Sequence, residues 1–257
     1  MTVTAAAPLA RRNPVAKLGA ALLFTLPLVA TLDPVTPAVA LAVELVALPF
    51  FGVRPGVLAR RAWPLLIAAF GVLVSMLLFA ADRGGALLVS LGPLDVTTGV
   101  LSAATGLVLR IFAVALPGIV VFTTTDPTDL ADALVQNARA PERFAVGALA
   151  AFRLMPLLGD EWRMLTVARR ARGADTGRDP RAFVSTGFAL LVGALRRGVR
   201  LAVAMDARGF DSGIPRTHAR VSSFTRADLA LLVVSGLASA AILTLAVATG
   251  WFRPIIG

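Results

Sequence analysis

Five stretches of the chain are almost entirely apolar, and their lengths predict helices that cross a membrane. A helix needs about 20 residues to cross the roughly 30 Å hydrocarbon core of a bilayer, and several of the stretches reach that length. The first is the shortest and contains Pro27, so it is the weakest of the five predicted spans. The stretches cover residues 18–32, 35–53, 62–81, 99–122 and 229–252.

Four start signals divide the segment between the fourth and fifth stretches into shorter helices. Each places an acid or a proline where a helix begins, because the acid accepts from the free amide groups of the first turn and proline needs no partner there. Pro156 and Gly159 predict the end of the second helix, so a separate third helix is expected from Asp160. The fourth is expected to run to about Met205. The start signals are Asp126-Pro127, Pro141, Asp160-Glu161 and Asp179-Pro180.

The third and fourth of these helices are amphipathic. Apolar residues of the fourth recur at spacings of three and four, which places them on one face. Its apolar run over residues 183–195 is too short to span a bilayer, so we expect a helix that lies at the membrane or packs on its neighbours. The apolar faces comprise Trp162, Met164, Leu165, Ala168 and Ala171 in the third helix, opposite Arg163, Arg169, Arg170 and Arg172, and Phe188, Leu191, Leu195, Val199, Ala202 and Met205 in the fourth.

Both amphipathic helices end at a copy of one heptapeptide. The pattern Ala-Arg-Gly-x-Asp-Thr/Ser-Gly occupies residues 171–177 and returns 36 positions later at residues 207–213. Glycine just past the last helical residue adopts a left-handed conformation that stops a helix at little steric cost. Arg172 and Arg208 therefore stand at helix tips, where their planar guanidinium groups suit bidentate pairing with carboxylates on another surface.

One copy alone is an ordinary helix stop, because a basic residue followed by glycine is common at helix ends. Two copies that share a downstream aspartate and glycine are harder to explain in that way. We therefore predict two docking tips, with Asp175 and Asp211 bracing the turn beyond each tip. The predicted docking residues are Ala171, Arg172, Gly173, Ala207, Arg208 and Gly209.

The composition places the chain in a membrane. Hydrophobic residues make up 57% of it and charged residues only 16%, and the mean hydropathy is +0.81. We expect an all-α integral membrane protein with about five transmembrane helices and a set of amphipathic helices outside the bilayer. The absence of cysteine excludes disulfides and thiolate metal sites, and the single histidine, His218, leaves little for zinc chemistry.

The basic residues follow membrane topology rather than the basic face of a nucleic-acid-binding protein, although the net charge is +10. Basic residues cluster before the first stretch and between the second and third, whereas only Arg83 lies between the third and fourth. The N-terminus is therefore predicted inside, and residues 126–228, which hold 16 of the 25 Lys and Arg residues, are predicted cytoplasmic. The predicted divisions are transmembrane helices over 1–125, a cytoplasmic helical region over 126–227 and a last transmembrane helix over 228–257.

Two charged residues, Glu44 and Arg110, lie well inside predicted spans, where charges usually find partners or face water. A pair between them is one interpretation and stays open. The spans lack the His-Glu or Ser-Lys sets of an intramembrane enzyme, and the chain lacks the Gly-rich phosphate loop of an ATPase. A self-contained permease that conducts its own substrate is the alternative, but it would need more polar residues at mid-membrane.

The two Ala-Arg-Gly motifs resemble those of a known family, the transmembrane T component of energy-coupling factor (ECF) transporters, the EcfT/CbiQ-like family. Members carry two such motifs at the ends of two cytoplasmic coupling helices, matched here by residues 171–173 and 207–209. The resemblance covers nearly the whole chain. Further matching blocks are Asn13-Pro14 with Lys17-Leu18, Asp33-Pro34, Thr125-Asp126-Pro127 with Asp129-Leu130, Arg153-Leu154-Met155-Pro156-Leu157-Leu158 with Glu161, and Ala204-Met205-Asp206.

The resemblance implies a non-catalytic subunit of an importer for vitamins or transition-metal ions, in the cytoplasmic membrane of a bacterium or archaeon. A separate membrane S component would bind the substrate. Two ABC ATPase subunits, as a homodimer or heterodimer, would bind ATP and magnesium, so this subunit would need no cofactor of its own. Arg172 and Arg208 would each anchor one ATPase, and closure of the ATPases on ATP would move the tips and reorient the S component. The substrate is not encoded in this chain.

Overall fold

The computed structural model describes residues 8–9, 11–31, 33–53, 55–79, 84–91, 94–173, 180–210 and 217–251. These residues are mostly helical, which confirms the predicted all-α membrane fold. A short 3-10 turn, Pro27–Ala30, follows the first helix. The helices are α1 Pro14–Thr25, α2 Val35–Phe51, α3 Pro55–Phe79, α4 Thr98–Thr124, α5 Pro127–Gln136, α6 Glu142–Ala171, α7 Pro180–Asp206 and α8 Arg226–Ala248.

The chain forms two compact units. The described residues up to Arg139 and from Ser222 onward make the first, and those from Ala140 to Val221 make the second. The first unit therefore contains α1 to α5 and α8, and the second contains α6 and α7. The first unit thus extends beyond residue 125, the predicted end of the first transmembrane region, and includes α5.

The first unit is a helical bundle with its core where α1, α2, α4 and α8 meet. Phe24, Leu28, Ala40, Ala113 and Ile242 are buried there and pack together. Small residues let the helices approach closely, as is usual in membrane bundles. A Cβ atom added to Gly19 would lie 2.8 Å from a methyl group of Leu232, and one added to Gly106 would lie 3.2 Å from the Pro34 backbone.

A polar cluster joins the starts of α1 and α8. The Asn13 side chain caps α1 by accepting from the backbone amide of Val15 at 2.9 Å, and the backbone amide of Asn13 donates to the Asp228 carboxylate at 2.9 Å. The other carboxylate oxygen of Asp228 accepts from the amide of Thr225 at 2.7 Å and from its hydroxyl at 2.6 Å. Asp228 is only 2% exposed, and its three donors satisfy it.

Among the described residues, three helices are long and apolar enough to cross a membrane: Gly56–Phe79, Thr98–Thr124 and Arg226–Ala248. Large apolar side chains stay exposed along them, such as Phe70 at 67% and Phe79 at 79%, as expected where lipid is the solvent. The first two predicted spans correspond to the shorter apolar helices Pro14–Ala30 and Val35–Phe51. The chain is thus a multi-pass membrane protein, and its five crossings stay a prediction.

One local expectation was wrong. The sequence pattern predicted separate helices before and after Pro156, but α6 is continuous from Glu142 to Ala171. Proline removes one backbone hydrogen bond and can be accommodated within a long helix at an exposed position such as this. Between α3 and α4, the described residues form an antiparallel hairpin of two strands, β1 Leu87–Leu91 and β2 Leu94–Thr97.

Candidate docking surface at two helix tips

The second unit is built on α6 and α7, which pack antiparallel as a hairpin, here called the α6–α7 hairpin. Near the end of α6, Arg169 donates to the Ser185 hydroxyl at 2.9 Å and to the Ala182 carbonyl at 3.5 Å, close to the start of α7. The rings of Trp162 and Phe183 meet edge to face with centroids 5.0 Å apart. The Ala-Arg-Gly tips of the two helices therefore lie toward opposite ends of the hairpin.

The α6 tip ends in a glycine with a left-handed backbone. Arg172 follows the last helical residue, and its amide hydrogen bonds to the Arg169 carbonyl at 3.2 Å. Gly173 has a φ of +70°, which L-residues with a side chain rarely adopt. Its amide donates to the Arg170 carbonyl at 3.0 Å, so two free carbonyls of the last turn are satisfied.

The α7 tip repeats this geometry 36 positions later. Gly209 also has a φ of +70°, and its amide donates to the Asp206 carbonyl at 2.8 Å. The Phe210 amide then reaches the Met205 carbonyl at 3.1 Å, which completes a Schellman motif. The two copies of the sequence motif thus fold into the same helix stop, with Arg208 at the second tip as Arg172 is at the first.

Both tip arginines are available to a partner surface. Arg172 and Arg208 are exposed, as are the alanine and glycine on either side of each. Within the described ranges neither guanidinium group has a hydrogen-bond or ion-pair partner. Asp175 and Asp211 lie outside the described residues, so their bracing role stays a prediction. An exposed guanidinium at a helix end can form a bidentate pair with a carboxylate of another protein.

The residues just before the motifs give the two tips different charges. Arg169 and Arg170 precede the motif in α6, whereas Met205 and Asp206 precede it in α7. The α6 tip therefore carries three positive charges within four residues, and at the α7 tip Asp206 offsets Arg208. If a partner offers carboxylates to the tips, the sequence charges would favour the α6 tip.

The duplication reaches further back than the heptapeptide suggests. Shifting α6 by 36 positions aligns three more apolar residues of the two helices, one turn before the motifs. These pairs lie at the same 36-residue offset as the Ala-Arg-Gly motifs, just before the alanine of each motif. They are Leu165 with Leu201, Val167 with Val203 and Ala168 with Ala204.

The first unit keeps Glu44 and Arg110 apart. Glu44 lines a cavity of about 320 Å³ among α1, α2, α4 and α8, and neither carboxylate oxygen has a hydrogen-bond partner among the described residues. Arg110 lines a different pocket, with residues of α3 such as Val72 and Met76. Glu44 and Arg110 therefore do not form the pair that the sequence left open. The described residues also contain no group of three or more potential metal ligands.

Known proteins resemble this chain over most of its length. The family described as CbiQ, cobalt transport protein, matches residues 5–219. An energy-coupling factor transporter transmembrane protein EcfT from Leuconostoc gelidum is 31% identical over 158 residues, 56% of this chain and 59% of that protein. The EcfT of Exiguobacterium sibiricum is 30% identical over 183 residues, 66% of this chain and 69% of that protein.

A larger relative has a different name. A protein of Bifidobacterium longum named as an ABC transporter ATP-binding protein is 30% identical over 224 residues, 82% of this chain. This chain spans only 28% of that protein's length and 59% of the Leuconostoc EcfT. The similarity therefore links most of this chain to a minor part of a longer ATP-binding protein.

Proposed function

This chain belongs to the CbiQ family of cobalt transport proteins, and from that membership we propose that it is the coupling subunit of an ECF importer. Relatives from several bacteria are named as the transmembrane protein of ECF transporters. The multi-pass fold agrees with such a component. The subunit's task is to convert movement of ATPase subunits into movement of a substrate-binding protein.

The two identically built arginine tips carry this proposal. Arg172 and Arg208 each follow a helix that ends in a left-handed glycine, and both guanidinium groups are exposed. A single tip of this kind would be an ordinary helix stop. Two tips on one hairpin, facing toward opposite ends, fit a partner that offers two equivalent grooves.

Two ABC ATPase subunits, identical or related, are the proposed partners of the tips. Each would offer carboxylates to one arginine fork, and they would bind ATP and magnesium. This subunit would then be non-catalytic and hold no cofactor. The Bifidobacterium relative supports the association, because it is named as an ATP-binding protein of an ABC transporter. The side of the membrane that carries the α6–α7 hairpin would be the cytoplasmic side of a bacterial or archaeal membrane.

A membrane-embedded S component is the proposed partner for the apolar face of α7. This helix keeps a row of large apolar side chains exposed, which a water-facing helix would rarely tolerate. An apolar partner would cover these side chains and would move together with the hairpin. The substrate class expected from the family is a vitamin or a transition-metal ion. The exposed row is Val184, Phe188, Leu191, Leu195 and Val199.

Affinity purification of the tagged chain from its own cells tests the proposal. We expect two ABC ATPase subunits and at least one S component to remain bound in mild detergent. The S component would also identify the substrate. Purification of the chain alone, with substrate transport retained after reconstitution, would contradict the proposal and favour a self-contained permease.

A further inference from the structure

Contacts in the α6–α7 hairpin follow the 36-residue duplication. Arg169 contacts Ala182 and Ser185. Shifting each of these positions by 36, forward from α6 and backward from α7, gives Met205, Val146 and Leu149, and these three residues line one groove together. Antiparallel packing thus places Val146 and Leu149 near Met205 in the same way as it places Ala182 and Ser185 near Arg169. The hairpin is therefore approximately symmetric about an axis across its middle.

One ion pair joins equivalent positions of the two copies. Glu161 accepts from Arg197, and the two residues are 36 positions apart. Under a two-fold relation, a contact between equivalent positions lies on the symmetry axis. Both side chains are largely covered, 28% exposed for Glu161 and 24% for Arg197. Gly193 lies beside the pair, since a Cβ added there would be in van der Waals contact with both groups, 3.4 Å from the guanidinium and 3.5 Å from the carboxylate.

We propose that the Glu161–Arg197 ion pair is a positioning contact that fixes the register of α6 against α7. Apolar ridges of two antiparallel helices fit again after a slip of one turn, about 5.4 Å, so apolar packing alone sets the register weakly. After such a slip Arg197 has no carboxylate opposite it, because the residues one turn from Glu161 in α6 are Leu157, Leu158, Met164 and Leu165. A half-buried charge without its partner loses much of its stabilisation. The pair therefore selects one register among several that pack similarly.

This register places the two tips symmetrically. Glu161 and Arg197 each lie eleven positions before the arginine of their own tip, about 16 Å along a helix. A slip would shift one tip relative to the other and spoil simultaneous contact with two partner grooves. This consequence for transport rests on the proposed function, whereas the register itself does not.

Distance measurements between the tips test the register directly. The chain has no cysteine, so Ala168→Cys and Ala204→Cys, two exposed and equivalent positions outside the Ala-Arg-Gly motifs, can carry spin labels. Double electron–electron resonance should give one narrow distance distribution in the parent. Glu161→Gln or Arg197→Gln should add a second population displaced by about 5 Å, one helical turn. The charge-swapped variant Glu161→Arg/Arg197→Glu should restore the single population.

Neighbouring charges provide matched controls. Asp160→Asn and Arg196→Gln remove the same charges one position away, on exposed side chains, and should leave the distribution unchanged. Unchanged distances in both single variants, or a charge swap no better than they are, would overturn the proposal. Co-purification of ATPases is scored separately. Its loss in the parent, with the swap still restoring the distances, would reject the proposed function and leave the register inference standing.

Discussion

At the residue scale, glycine determines where each tip arginine stands. Gly173 and Gly209 share a φ of +70°, a conformation that costs an alanine about 1 kcal/mol or more. The sequence alone predicted both stops, because glycine after a basic residue at the end of an apolar period is a strong local signal. Tertiary contacts were not needed for that prediction.

Opposite effects are expected from one substitution at two glycines. Gly173→Ala should lower the free energy of unfolding by about 1 kcal/mol because of its left-handed backbone. Gly198→Ala, in the interior of α7 with nothing within 4 Å of the added atom, should raise it by up to about 1 kcal/mol. Thermal unfolding in one detergent compares them. Equal shifts of the same sign would show that Gly173 does not act through its backbone conformation.

Two buried carboxylates should respond differently to loss of charge. Asp228 accepts three hydrogen bonds, so Asp228→Asn should destabilise the chain by about 1–3 kcal/mol. Glu44 has no partner among the described residues, so Glu44→Gln should cause no loss of stability. Unfolding midpoints of the purified variants measure both. A loss for Glu44→Gln as large as that for Asp228→Asn would mean that Glu44 is paired in the assembled protein.

At the element scale, helix ends were easier to predict than helix continuity or pairing. The start of α5 was confirmed, since Asp126 accepts from the Thr128 amide at 2.8 Å as an N-cap should. The helix break predicted at Pro156 was wrong, because a long helix can continue through a proline that locally favours a break. The separation of Glu44 from Arg110 depends on which face of α2 and α4 each occupies in the bundle. Residue spacing within one helix does not contain that information.

The charges beside the two tips predict unequal salt sensitivity. Arg208→Ala leaves binding to the α6 tip, with Arg169 and Arg170 beside it, whereas Arg172→Ala leaves the α7 tip, with Asp206. Salt screens the longer-range attraction of the extra charges. ATPase retention by the Arg208→Ala variant should therefore fall more steeply as salt rises from about 0.1 M to about 0.5 M. Over this range the distance at which an exposed charge acts shortens from about 10 Å to a few ångströms. Equal slopes, or a steeper slope for Arg172→Ala, would refute the charge difference as a cause.

At the scale of the whole molecule, the sequence established the class of protein better than its partners. Apolar length and charge distribution predicted a multi-pass helical membrane protein, and the part of the chain that the structure describes contains three long apolar helices. An arginine at a helix tip indicates carboxylates on a partner but not which protein supplies them. The proposed identity of that partner, an ABC ATPase, rests on the family, and the proposed S component would determine the substrate. The approximate symmetry of the α6–α7 hairpin could not be predicted from the 36-residue sequence offset alone, because it also depends on which side chains meet between the helices.

Docking of ATPases by the two tips is the central claim, and quantitative co-purification of tip variants tests it most directly. Arg172→Ala and Arg208→Ala should each reduce the ATPase retained per membrane subunit about tenfold, and the double variant should retain almost none. Arg163→Ala, an exposed arginine of α6 away from the tip, is the matched control and should retain the full amount. Full retention of ATPases by a correctly inserted double variant would contradict the claim.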